Sequence, residues 1–218
     1  NSIKYAAKYA DIVTQSYHPV KAITTGEGGS ILTNNKDLDF KIKSYRSHGI
    51  EKNKLMMKKK GLWFYEMQRL GYNYRITDFQ CALGISQLKK LNFFIKKRTA
   101  IAKKYNKAFS NNAKIKIPYV KNNVLHAFHL YPLQINFKKI KLNKKDFFIK
   151  MKNAGINLMV HYIPIHLQPF YKRKFNFRSG DYPISEDFYK SECSLPIFVD
   201  LKDSHQNLVI KKVLQYVK

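Results

Sequence analysis

The chain has 218 residues, 44% of them hydrophobic, and a formal net charge of +27. That is enough for one sizeable core, or one core with a smaller satellite. The apolar runs are short and broken by lysine, which excludes a membrane-crossing helix and sets the expectation of a soluble, cytoplasmic protein with no membrane partner.

The positive charge invites a nucleic-acid reading, because basic chains gain affinity by releasing phosphate counterions. Only 6 of the 41 basic residues are arginine, the better fork for phosphate and base edges, and the lysines scatter in short clusters such as Lys58-Lys59-Lys60 and Lys138-Lys139. No nucleic-acid partner is therefore expected.

In chain order, Tyr9 to Ser16 has strand-like composition, and Gly28-Gly29-Ser30-Ile31-Leu32-Thr33 reads as a turn entering another strand. Asn34-Asn35-Lys36-Asp37 offers cap chemistry for a helix with Leu38, Ile42 and Tyr45 on one face, ending near Gly49. Residues 50–72, rich in lysine and aromatics, read as an irregular, exposed excursion. Thr77-Asp78 caps a helical pattern that runs from Phe79 through Leu83, Leu88, Ile95 and Ile101 to Tyr105. One helix of about 30 residues is long for a globular domain, and a domain boundary is placed within it, near residue 90.

Beyond it, His129 to Ile135 and Ile156 to His161 are strand candidates. Lys144 to Ala154 is a helix closed by Gly155, and Ser185–Glu192 and Ser204–Val217 read as helices. The aromatics Phe147, Phe148, Phe170, Tyr171, Phe175 and Phe177 are expected to line core and cleft. Cys81 and Cys193 lack CxxC partners, so both are expected as small buried residues, with no disulfide and no metal site. Asn1 opens the chain inside a patterned segment, which suggests that the front of a larger domain is missing.

The chemistry is concentrated in Ser16-Tyr17-His18-Pro19-Val20-Lys21-Ala22-Ile23-Thr24-Thr25-Gly26-Glu27-Gly28-Gly29. One lysine lies between apolar neighbours, just before a glycine-rich turn. Desolvation favours a neutral amine, and a neutral amine is a nucleophile for an aldehyde. The hydroxyls of Ser16, Thr24 and Thr25 are candidate anion ligands. On spacing alone, an ordinary surface lysine beside a loop is the favoured reading, because lysines occur throughout the chain.

This segment resembles the active-site motif of the DegT-type nucleotide-sugar aminotransferases, in which a lysine precedes a Gly-Glu-Gly-Gly turn. The likeness continues in order through Ser47-His48-Gly49-Ile50, Leu70-Gly71-Tyr72-Asn73-Tyr74-Arg75-Ile76-Thr77-Asp78, Ala82-Leu83-Gly84, Lys97-Arg98, Val160-His161-Tyr162-Ile163-Pro164-Ile165-His166 and Ser194-Leu195-Pro196. It covers nearly all of the chain. Ser47-His48-Gly49-Ile50, His129-Leu130-Tyr131-Pro132 and Glu186-Asp187-Phe188-Tyr189 look nearest to the pseudaminic-acid branch of the family.

The resemblance implies a type I, aspartate-aminotransferase-like α/β fold, truncated at its front. Residues 1–90 would be the end of the large domain, which binds pyridoxal 5'-phosphate, and 91–218 the small C-terminal domain. It implies transamination of a UDP-linked 4-keto-6-deoxy sugar, with glutamate as amino donor, in a homodimer. Lys21 would be the Schiff-base lysine and proton carrier, Ser16 a ligand of the cofactor phosphate, and Asn73 a ligand of the neighbouring subunit's cofactor phosphate. His161 and Tyr162 would lie near the substrate.

Structural alternatives stand beside these roles. Ser16 could end a strand, Asn73 could be a turn residue beside Gly71, and His161 could be a satisfied structural histidine. Arg75 is expected to cap or pair near the long helix, His18 to be scaffold, and Glu27 to order backbone amides. Rival functions are amination of another nucleotide-linked keto sugar and a non-catalytic remnant. In a related dehydratase a histidine replaces the lysine, so Lys21 favours transamination. The carboxylate that pairs with the cofactor's ring nitrogen has no confident match in this chain, and the isolated chain is expected to be inactive.

Overall fold

A computed structural model describes residues 8–218, which divide into two compact units, the first ending at Leu91 and the second running from Asn92 to Lys218. The first unit begins with an antiparallel strand pair, β1 (Val13–Ser16) and β2 (Gly29–Leu32), in register from Val13 opposite Leu32 to Ser16 opposite Gly29. The helix α1 (Lys36–Arg46) follows. The Asn35 side chain accepts hydrogen bonds from the Asp37 and Leu38 amides, which are otherwise orphan donors at the helix start.

Residues 50–72 carry more structure than their composition suggests. β3 (Ile50–Glu51) pairs antiparallel with β4 (Glu66–Met67), and between them Asn53 caps the short helix α2 (Lys54–Lys60). The exposed character is as expected: Leu55 is 78% and Trp63 75% exposed.

The long helical run is two helices. α3 (Asp78–Lys89) starts with a full capping box, Thr77 and Gln80 each bonding the other's backbone amide, and ends at Lys90. α4 (Leu91–Phe109) follows at once. The periodic pattern runs through the break because a single non-helical residue leaves the apolar spacing nearly unchanged.

The second unit is built on a three-stranded antiparallel sheet with β6 (Tyr131–Ile135) between β5 (Ile115–Lys116) and β7 (Glu192–Leu195). Tyr131, Leu133 and Ile135 alternate onto the buried face with zero exposure, the period-two pattern of a half-covered sheet. Against them pack Ile101, Tyr105 and Phe109 of α4, Phe147 and Met151 of α5 (Lys144–Asn153), and Val209 and Val213 of α8 (Asp203–Tyr216). Several polar groups inside this core are paired. The Tyr131 hydroxyl donates to Asn106 at 2.6 Å, the Tyr105 hydroxyl to the Pro196 carbonyl at 2.9 Å, and the Gln206 amide to the Ile101 carbonyl at 2.8 Å. Arg98 donates to the carbonyls of Phe128, His129 and Ile197, joining three segments.

Other expectations change. Residues 156–161 form no strand: only Met159 pairs, as a single bridge to Ser194, and the chain turns away at once. β5, β7 and the helix α6 (Pro169–Phe175) are additions, each short and without a clear period. α7 (Pro183–Ser191) matches the expected helix, with proline at its first turn, where a missing N–H costs nothing. Of the aromatic series, Phe147 is core and Phe148 packs against it, but Phe170 and Phe175 are 57% and 53% exposed. Cys193 is buried and Cys81 half-buried, both as free thiols. Among the described residues there is no metal-binding cluster and no helix long and apolar enough to cross a membrane.

Candidate active site

Lys21 sits on the loop that joins β1 to β2. Pro19 and Val20 form a turn closed by the Lys21 amide donating to the His18 carbonyl at 2.9 Å, the position proline favours. The base of the loop continues the ladder, with the Tyr17 amide donating to the Gly28 carbonyl at 2.9 Å and the Thr25 amide to the Tyr17 carbonyl at 3.0 Å. Lys21 is half-buried there. Thr25 is buried against α3. A Cβ on Gly84 would meet the Thr25 methyl at 2.9 Å, and a Cβ on Gly28 would meet the Thr25 hydroxyl at 2.4 Å. Those glycines let helix, turn and loop approach closely.

The threonine hydroxyls are not anion ligands, contrary to expectation. Thr24 donates to the Tyr17 carbonyl at 2.8 Å and accepts from the Gly26 amide at 2.9 Å, and Thr25 donates to the Glu27 carbonyl at 2.6 Å. Both stiffen the loop. Ser16 differs: it is exposed at the end of β1, its oxygen receives only a long 3.5 Å contact from the His18 amide, and its proton is left to donate.

His18 is scaffold as expected, with Nδ1 accepting from the Val20 amide at 3.5 Å and Nε2 3.7 Å from the Glu27 carboxylate. Glu27 orders the turn through its carbonyl, not its side chain. That oxygen accepts from Thr25 and, at 2.9 Å, from the Gln80 side chain, so α3 is fastened to the loop.

A second strip of the same unit carries Asn73. The His48 amide donates to the Tyr72 carbonyl at 2.8 Å and the Tyr74 amide to the Arg46 carbonyl at 2.9 Å, and Ser47 bridges Asn73. Two glycines make this possible. A Cβ on Gly49 would lie 1.8 Å from the Arg69 carbonyl oxygen, and one on Gly71 would lie 2.1 Å from the Gly49 nitrogen. Gly49 also has φ +68°, and His48 before it φ +63°, the left-handed region that glycine enters freely. The rings of Tyr72 and Tyr74 stack at 4.8 Å on one side of the strip, and alternation sends Asn73, exposed, to the other. Asn73 is thus a strip residue rather than part of a tight turn. Among the described residues Arg75 neither caps nor pairs: it lines an open groove with Arg46, His48 and Lys52.

In the second unit, His161 and Tyr162 follow the Met159–Ser194 bridge. His161 is half-buried and its Nδ1 lies 2.8 Å from the Ser194 hydroxyl, while Tyr162 is 67% exposed with its ring edge-on to the imidazole at 4.7 Å. Ser194 in turn donates to the Glu192 carboxylate at 2.6 Å. Sequence reasoning assigned no role to Glu192. It lies 31 residues from His161, and nothing in local spacing joins the two. A second buried pair is His166 with Glu186 at 2.9 Å, where Glu186 also accepts from the Gly180 amide and the Ser179 hydroxyl.

The chain belongs to the DegT/DnrJ/EryC1/StrS aminotransferase family, whose model matches residues 3–214. It is 41% identical over 201 residues to a UDP-4-amino-4,6-dideoxy-N-acetyl-beta-L-altrosamine transaminase of Campylobacter jejuni, covering 90% of this chain and 50% of that protein. Among solved structures it is similar to Helicobacter pylori PseC, an aminotransferase involved in the biosynthesis of pseudoaminic acid, with a TM-score of 0.85 and 33% identity over 96% of this chain and 54% of that one. It is also similar to Streptococcus pneumoniae Spr1654 in a PMP form, with a TM-score of 0.84 and 27% identity over 95% and 53% of the two chains. The chain therefore spans about half the length of the relatives it matches, and its fold is the corresponding part of an aspartate-aminotransferase-like structure.

Proposed function

We propose that this chain is the lysine-bearing part of a pyridoxal-phosphate-dependent sugar aminotransferase. The reaction is that of the altrosamine transaminase, amination of a UDP-linked 4-keto-6-deoxy sugar with glutamate as donor. The observation that carries this reading is the half-buried Lys21 on a loop locked by β1, β2 and α3, within a chain of this family.

The residues present fit two ends of the cofactor: an amine on a rigid loop for its aldehyde, and the unspent Ser16 hydroxyl for its phosphate. When bound, pyridoxal phosphate supplies the electron sink that makes an amino acid's α-proton removable. Lys21 would hold the cofactor, and its amine, once free, would accept and return the donor's α-proton, a general acid–base task. The ladder under its loop limits how far the amine can stray, and small displacements are expensive in such transfers.

In this reading residues 1–90 end the large domain and 91–218 form the small one. Asn73, exposed on its strip, would hold the cofactor phosphate of a second subunit, so that the working protein would be a homodimer, in the cytoplasm. His161 and Tyr162 face the sugar. We further propose that the 218-residue chain does not turn over by itself, because it corresponds to about half of its relatives.

Two measurements test this. Pyridoxal phosphate added to the chain should give the visible absorbance of a lysine-bound cofactor, and Lys21→Arg should abolish it; a band that survives the substitution contradicts the assignment. A turnover assay with glutamate and the UDP-4-keto sugar should give no product, and a rate comparable to an intact relative contradicts the claim of inactivity.

A further inference from the structure

His161, Ser194 and Glu192 form a hydrogen-bonded chain whose proton directions are fixed by chemistry. Glu192 is fully buried and Ser194 is 5% exposed. As a carboxylate, Glu192 offers only acceptors. One oxygen takes the His161 backbone amide at 3.0 Å and the other takes the Ser194 hydroxyl at 2.6 Å. Lys144, which donates to the Tyr189 carbonyl, is within electrostatic reach of Glu192.

A serine hydroxyl has one proton. With that proton committed to Glu192, Ser194 can only accept from the imidazole 2.8 Å away. Nδ1 of His161 must then carry a proton, and in the neutral ring Nε2 is left with a lone pair.

We propose that Glu192 and Ser194 are positioning residues that hold His161 as its Nδ1–H form, so that Nε2 accepts a hydrogen bond from a neutral donor on the substrate. The last step rests on the reading of His161 as substrate-facing. It specifies the class of group taken: a sugar hydroxyl or amide N–H, which offers a proton, rather than a diphosphate or carboxylate, whose oxygens need a donor that a bare Nε2 lacks. The unconstrained imidazole prefers the opposite, Nε2–H form, so the chain of bonds selects the less populated state.

The test uses the 218-residue chain with 15N-labelled histidine, with no cofactor or substrate. His161 is assigned by its loss in His161→Asn. At a pH where the ring is neutral, its two nitrogens should show Nδ1 protonated and Nε2 bare, and bare nitrogen resonates far downfield. A ring with Nε2 protonated, or one in which both nitrogens stay protonated, overturns the proposal.

Glu192→Gln makes the claim sharper. The amide oxygen must face the His161 backbone N–H, so the amide NH2 faces Ser194 and donates to it. The serine proton is then released toward Nδ1, and the tautomer should invert to Nε2–H. Retention of the Nδ1–H form in a folded Glu192→Gln chain overturns the proposal. Should that variant lose its fold, Ser194→Ala provides the second reading: Nδ1 loses its acceptor, and the proton should shift toward Nε2. No shift in Ser194→Ala also overturns it.

The result separates from that of the functional reading. Tautomer control with no Lys21-bound cofactor would leave the positioning claim intact and contradict the aminotransferase assignment. The reverse outcome would contradict only the positioning claim.

Discussion

The two units solve the problem of holding a shape by different means. The second buries a continuous apolar core: Tyr105, Phe109, Tyr131, Phe147 and Val213 all reach zero exposure. In the first, no apolar side chain among the described residues is buried. Phe79, Leu62 and Leu70 are 91%, 84% and 83% exposed, and the buried positions are Thr25, Ser44 and Gly49. Its order comes from backbone ladders, caps and glycine-mediated close approach. Yet this is the unit that carries Lys21. Precise placement of one amine depends on local hydrogen bonds, and the apolar pattern that marks a core says little about where they form.

The largest expected effect breaks the comparison at its strongest point. Tyr105→Ala should cost about 3–5 kcal/mol in denaturant unfolding of the second unit, as for other fully buried aromatics. Phe79→Ala should change stability by no more than about 0.5 kcal/mol. Equal losses at the two sites would mean that the units do not differ as described.

Gly49→Ala should cost the first unit about 1–3 kcal/mol, since its methyl would overlap the Arg69 carbonyl, and should speed proteolysis of the strip bearing Asn73. An unchanged digestion rate would show that glycine contact does not hold that strip.

Acid offers a smaller, pH-resolved probe of the second unit. Glu186 is held at about 2, below its usual 4.5, first by the hydrogen bond from His166 and then by the Gly180 amide and the Ser179 hydroxyl, against the effect of burial. A depressed carboxyl adds stability that is fully present above its unfolded value near 4.5 and is lost as pH falls through about 2. Glu186→Gln should flatten the acid limb of the stability curve across that window. A limb that keeps its slope would assign the effect elsewhere.

The smallest effect is expected on the surface. Lys43→Ala removes an exposed i,i+4 pair with Asp39 in α1 and should cost less than about 0.5 kcal/mol by thermal melting. A larger loss would mean that side-chain pairs, rather than backbone ladders, hold the first unit.

Legibility in the sequence followed the same division. Asn35 and Thr77 were readable as caps because an N-cap needs a particular residue type at one position, and Gly155 as a helix end for the same reason. β6 and α8 were readable as a strand and a helix. The break at Lys90 was not, because apolar spacing continues across it. The strand expected at 156–161 failed because an apolar stretch does not specify a pairing partner, and only Met159 found one. At the site, Lys21 stood out by family resemblance, since spacing alone favours an ordinary surface lysine. The Glu192–Ser194–His161 chain could not, since it joins residues brought together only by β7 and the Met159 bridge. The threonines beside Lys21 were misread because their hydroxyls turn inward to the loop's own carbonyls.

The central claim is that Lys21, out of the chain's many lysines, is the one that holds the cofactor. The most direct measurement is to incubate the chain with pyridoxal phosphate, reduce with borohydride, and map the modified lysines by mass spectrometry. The account predicts a label concentrated on Lys21 and lost from that peptide in Lys21→Arg. A label spread over the lysines in proportion to their exposure, with Lys21 no more modified than Lys58 or Lys138, would contradict it.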